Sequence, residues 1–126
     1  MRFAIIVDMI QWLLKAASRP AQTPEPVPPR ISVRYASWLP ALGGALSGMR
    51  QPAAAVTLGR TIIVHPTVEL TPELLRHELA HVRQWETNPL TFWPRYVLNH
   101  VRYGYHKNPY EVEARMAEKE AVWPSR

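Results

Sequence analysis

The chain has 126 residues, 47% of them apolar and 20% charged, the size and balance of one globular domain, able to bury about two thirds of its unfolded surface and leaving no room for a second catalytic domain. It has no cysteine, which excludes disulfides, thiolate zinc sites and thiol catalysis; the compartment stays open, with a cytoplasmic setting favoured over secretion. The net charge of +5 comes from 15 Lys and Arg residues that are scattered and form no basic run, so no specific nucleic-acid partner is expected.

Residues 1–14, MRFAIIVDMIQWLL, are strongly apolar but interrupted by Asp8, the only aspartate. They are too short to span a bilayer. The expectation is a short helix that packs on the domain or makes peripheral contact with a membrane surface through residues 3–14, ahead of a cleaved signal. Residues 19–30, RPAQTPEPVPPR, hold five prolines, which exclude a helix or central strand and suggest a polyproline spacer. The predicted organisation is thus an apolar segment at 1–18, a linker at 19–30 and a domain over 31–126.

Within that domain a short helix is predicted around residues 38–46, weakened by Gly43 and Gly44. Runs of β-branched residues at 56–58 and 61–64 flank Gly59 and Arg60 and predict a hairpin. Thr71 as N-cap, Pro72 at the first position and Glu73 in the first turn predict a helix over 72–86. A second helix fits residues 90–103, with a kink at Pro94 and a stop at Gly104. A third begins at Asn108 and Pro109 and continues to about residue 121.

The first of these helices carries LRHELAHVRQW, with His77, Glu78 and His81 in the order His-Glu-x-x-His. Positions i and i+4 share a helix face, so His77 and His81 can grip one metal ion. Glu78 projects about 100° round from His77, near the ion without having to bind it, where a general base belongs. A third ligand must come from elsewhere. Gln84 and Thr87 stand where an extended motif needs Gly and His, which excludes a third histidine on the same helix. Downstream, Glu86, Glu111, Glu113, Glu118, Glu120, His100 and His106 remain. Glu86 faces elsewhere, and Glu118 and Glu120 come late in a helix. Glu111 fits best, at the third position after Asn108, with small Ala114 on the same side to let two helices approach. The competing reading is a capping box, in which Glu111 bonds only its own helix start.

AVTLGRTIIV, HELAHVRQWE, FWPRYV and GYHKNPYEVEAR together resemble the gluzincin clan of zinc metallopeptidases. Within it they resemble the small stand-alone minigluzincins, related to the metallopeptidase-like core domain of extracellular contractile injection systems. The resemblance covers residues 53–121. It implies an α+β, zincin-like fold in which a small β-hairpin or sheet packs on the active-site helix, with further helices downstream. It also implies Zn2+, with His77, His81 and Glu111 as ligands and Glu78 as the catalytic glutamate. Arg115 occupies the position where many of these enzymes carry an aspartate that orients a metal-bound histidine. The orienting acceptor must then be a backbone carbonyl, Asn99, Asn108 or Glu113. The expected activity is hydrolysis of a peptide or protein substrate by a zinc metalloendopeptidase. Tyr105 and His106 (beside Tyr103) are candidate transition-state stabilisers, and Thr61, Ile62, Ile63, Val64 and His65 a substrate-pairing edge strand. The alternative is a zinc-stabilised, catalytically weak or inactive binding or scaffold module. In either case a protein partner could complete so small a site.

Overall fold

A computed structural model describes residues 2–38 and 54–119. In chain order the elements are α1 (Arg2–Ala16), β1 (Arg19–Pro20), β2 (Ser32–Tyr35), β3 (Ala55–Leu58), β4 (Thr61–Val64), α2 (Pro72–Thr87), α3 (Phe92–Lys107) and α4 (Pro109–Ala117). Among the described residues the fold is α+β, a four-stranded mixed sheet with four helices. Nearly all of the helix expected at 38–46 lies outside the described residues.

The hairpin forms as the sequence predicts, with Val56 opposite Ile63 and Leu58 opposite Thr61. Gly59 turns it with a φ of 62°, a left-handed value that L side chains resist. An added Cβ there would also meet the Gln11 amide at 3.3 Å. The edge position expected for Thr61, Ile62, Ile63, Val64 and His65 is corrected. The sheet order is β1-β2-β4-β3, and β4 is buried between two partners. The reason is β2, whose alternating Ile31, Val33 and Tyr35 pair it in parallel with β4, in register from Ser32 on Thr61 to Tyr35 on Val64. Among the described residues, β3 forms one edge and the two-residue β1 the other.

Side chains alternate across the sheet. Ile62 and Val64 point to one face and join Ile31, Val33, Leu70, Leu75, Leu79 and Val82 in the main core beneath α2. Ile63 points to the other face, where Leu14 of α1 and Ala36 cover it. Gln11 fastens α1 there, donating to the Leu58 carbonyl at 3.2 Å and accepting from the Thr61 hydroxyl. The first expected outcome for residues 1–14, a helix packed on the domain, is what this arrangement contains. Among the described residues no helix is long and apolar enough to cross a membrane.

The proline-rich stretch lies along the domain. Arg19 and Pro20 pair with Tyr35 and Arg34, the Ala21 amide bonds the Val33 carbonyl at 3.0 Å, and Ala21 and Val27 pack on the core. Prolines limit it to extended conformations, which suits a short edge strand followed by a strap.

Candidate metal centre

The helix that carries the motif starts where its caps predict. The Thr71 hydroxyl accepts from the Leu74 amide at 3.1 Å, with Pro72 at the first position. Leu75, Leu79 and Val82 bury one stripe of α2 against the sheet, which turns His77 and His81 toward α4. The break at Gly104 also occurs, with φ 81°, but helical structure resumes beyond it to Lys107. Asn108 then starts α4, its side-chain oxygen accepting from the Tyr110 amide at 3.0 Å. Its amide nitrogen donates to the Tyr96 carbonyl at 3.2 Å, pinning α4 to α3.

That pin places Glu111. Its Oε1 lies 3.0 Å from His77 Nε2 and 3.2 Å from His81 Nε2, and the three donor atoms lie within 4.8 Å of one another. The carboxylate points across to α2, so the capping-box alternative is not the role it plays. Ala114 is fully buried one turn on, as expected of a residue that lets α2 and α4 approach.

The outer contacts differ from those anticipated. His77 Nδ1 donates to Glu118 Oε2 at 2.9 Å. His81 Nδ1 donates to Gln84 Oε1 at 2.9 Å. The Gln84 amide orientation is fixed, because its nitrogen faces the Tyr110 carbonyl at 3.0 Å and Glu113 Oε1 at 3.2 Å. Both histidines therefore carry a proton on Nδ1 and direct Nε2 at Glu111. Of the acceptors expected, Asn108 caps a helix and Glu113 acts one step removed, through Gln84. Glu118 and Gln84 do the orienting in place of an aspartate at Arg115.

Three buried donors of this kind fit a divalent ion. Donors about 2.0–2.1 Å from a tetrahedral centre stand roughly 3.3 Å apart, close to the spacings at Glu111. With no ion between them, a carboxylate facing two imidazole nitrogens must share protons with them. Burial opposes charge on His77, but the hydrogen bonds to Glu111 and Glu118 and the charges of Glu78 and Glu111 outweigh it and hold its pKa at about 9. His81 is raised against burial by Glu111, Glu78 and Gln84. Against the same burial, His77, His81 and Tyr96 hold the Glu111 carboxyl far below the usual carboxylate range.

Tyr96 is a participant that the sequence reading missed. Its hydroxyl donates to Glu111 Oε2 at 2.5 Å. Burial and the Glu111 charge keep its phenol protonated far above the normal range. Only the fold reveals this role, since Tyr96 lies in the FWPRYV stretch of α3 and nothing in that stretch links it to Glu111. Glu78 is buried and accepts from the Thr57 hydroxyl at 2.6 Å on Oε2, a contact made possible because Thr57 shares the α2 face of the sheet with Ile62, its partner across the hairpin. Tyr105 is 44% exposed, yet its partial burial and the charges of Glu111 and Glu78 raise its pKa, which puts it within reach of the site's charge. His106 is exposed as well, and its backbone oxygen accepts from Arg115.

Residues 47–89 match the family model of the eCIS core domain, which links this chain to that family through the hairpin and the motif helix. Neither a curated protein nor a solved structure matches the chain. The class defined by fold and site together is an α+β domain with a buried His-His-Glu cluster compatible with metal binding.

Proposed function

We propose that the protein is a zinc-dependent peptide hydrolase. In this reading His77, His81 and Glu111 hold the ion and Glu78 is the general base. The observation that carries it is the convergence of three buried donors beside a second buried carboxylate, Glu78. Two imidazoles and one carboxylate are a donor set typical of hydrolytic zinc. When bound, the ion would supply Lewis acidity and make water easier to deprotonate.

The chain's own residues supply the rest. Thr57 occupies Oε2 of Glu78 and fixes the carboxylate plane, leaving Oε1 to take a proton from water and return it to the leaving amine. Tyr105, kept protonated by its surroundings, would donate to a developing oxyanion. Tyr96 is engaged with Glu111 and serves the ligand. An extended peptide would pair with β3, one of the two outer strands among the described residues and the one that contributes Thr57.

A second reading is favoured by the eCIS core match. In it the same domain is a zinc-stabilised module within a larger protein assembly, with weak or no hydrolysis. Cleavage of a peptide library by the zinc-loaded chain, with Glu78→Gln as control, separates the two. The hydrolase reading expects Glu78→Gln to keep zinc and lose cleavage by at least about a hundredfold. Wild-type protein that is fully loaded and cleaves nothing would leave the module reading.

A further inference from the structure

Ion pairs fasten the proline-rich segment to α2 at two places, and the hairpin turn shares one of them through Arg60. Near the end of α2, Glu86 takes Arg30 at 2.7 Å and Arg60 at 2.8 Å. Near its start, Arg76 takes Glu25. We propose that Glu25 is a positioning residue for the metal centre, acting through Arg76 and Glu118 on His77. The inference rests on the metal-binding reading of His77, His81 and Glu111.

Arg76 directly precedes His77 on α2. Its guanidinium meets the Glu25 carboxylate with two nitrogens, Nε at 3.1 Å from Oε2 and Nη2 against Oε1. The remaining nitrogen, Nη1, donates to the backbone oxygen of Glu118 at 3.0 Å. That residue lies just past the last turn of α4, where carbonyls lack helical partners. The Glu118 side chain in turn accepts from His77 Nδ1 at 2.9 Å. Four residues are thus bonded in series, from the strap to a ligand. The Glu25 and Arg76 side chains are each only 21% exposed, so water screens the fork–fork pair weakly.

Glu25 does two things here. It orients the planar guanidinium so that one arm holds the Glu118 backbone. It also satisfies the charge of Arg76. Without it, Arg76 is drawn to the Glu118 carboxylate and competes with His77 for that acceptor. An imidazole that loses its acceptor binds metal less well and less uniformly. The strap that carries Glu25 lies outside the matched residues 47–89, whereas Arg76 lies within them.

The test uses the full chain and zinc alone, with affinity read by chelator competition and geometry by the absorption spectrum of the cobalt(II)-substituted protein. Glu25→Gln should weaken zinc binding about fivefold and shift the cobalt spectrum, and Glu118→Gln should cost about tenfold or more. Because the residues act in series, the double variant should be no weaker than Glu118→Gln alone. Glu25→Asp, which keeps the charge, should recover most of the affinity, and far-UV circular dichroism checks that each variant folds. Glu86→Gln loosens the same helix from Arg30 and should leave zinc binding unchanged. Wild-type affinity and spectrum in Glu25→Gln, equal losses in Glu86→Gln, or additive losses in the double variant would each overturn the proposal. A wild-type chain that binds no zinc would instead refute the metal reading on which it rests.

Discussion

Glu111 touches both motif histidines through one oxygen and Tyr96 through the other. Removing it should therefore abolish metal binding, whereas Glu113, which supports only Gln84, should cost a few-fold at most. Metal content of purified Glu111→Ala and Glu113→Ala decides this, and the reverse order would move the ligand by two residues. Tyr96→Phe should keep the ion but weaken it several-fold, since Glu111 loses a donor without losing its place. The metal-free cluster is protonated. The pKa of His77, about 9 against 6.5 for a free imidazole, means that its protonation stabilises the metal-free fold below pH 6.5 and that this contribution is lost as the pH rises through 9. At neutral pH the metal must displace that proton. Calorimetry in buffers of different ionisation enthalpy should register proton release on zinc binding, with affinity rising toward pH 9; a proton-neutral reaction would contradict the ligand assignment. His77, Glu78 and His81 were legible because helix geometry alone sets their spacing. Glu111 was legible because Asn108 and Pro109 fix where its helix starts. Tyr96, Glu118 and Gln84 were not, because their roles depend on how separate helices approach.

Each element has a cost attached to its place. Leu79 is 2% exposed between α2 and the sheet, so Leu79→Ala should destabilise the fold by about 3 kcal/mol in urea unfolding. Ala114 is fully buried and shares the α4 side that faces α2. Ala114→Leu should push the helices apart, lowering stability by roughly 1–3 kcal/mol and zinc affinity with it. Retained affinity would show that the α2–α4 spacing does not govern the site. At the far end of α2, the hydrogen bond from Arg30, opposed by burial and assisted by Arg60, holds the Glu86 pKa at about 2. A depressed carboxyl stabilises above its unfolded value of 4.5 and loses that contribution as the pH falls toward 2. The stability gap between wild type and Glu86→Gln should therefore close over that range. Caps, prolines and apolar periodicity announced α2 and α4 in the sequence, because those signals are local. β2 was missed because a four-residue strand is defined by its partner, and its parallel partner lies twenty-nine residues on, from Ser32 to Thr61.

Across the whole molecule, the sequence divided the chain more sharply than the folded contacts do. Prolines suggested a spacer at 19–30, yet Arg19, Ala21, Val27 and Glu25 all bond or pack on the domain. Pattern could not reveal this, because extended proline-rich chain reads alike whether it is solvated or strapped down. The apolar character of residues 1–14 is only partly satisfied. Leu14 is buried, while Ile5, Met9 and Trp12 stay more than half exposed. Because the ligands come from two helices joined through α3, metal binding should stabilise the entire fold. Zinc at a hundred times its dissociation constant should add about 2.7 kcal/mol and raise the melting temperature by roughly 10 °C, with no shift in Glu111→Ala. The most direct measurement is zinc X-ray absorption on the zinc-loaded chain. One zinc per chain is expected, in a four-coordinate shell of two imidazole nitrogens and light oxygen donors at about 2.0–2.1 Å, lost in Glu111→Ala. A shell without two imidazoles, or one unchanged by Glu111→Ala, would contradict the His77–His81–Glu111 centre.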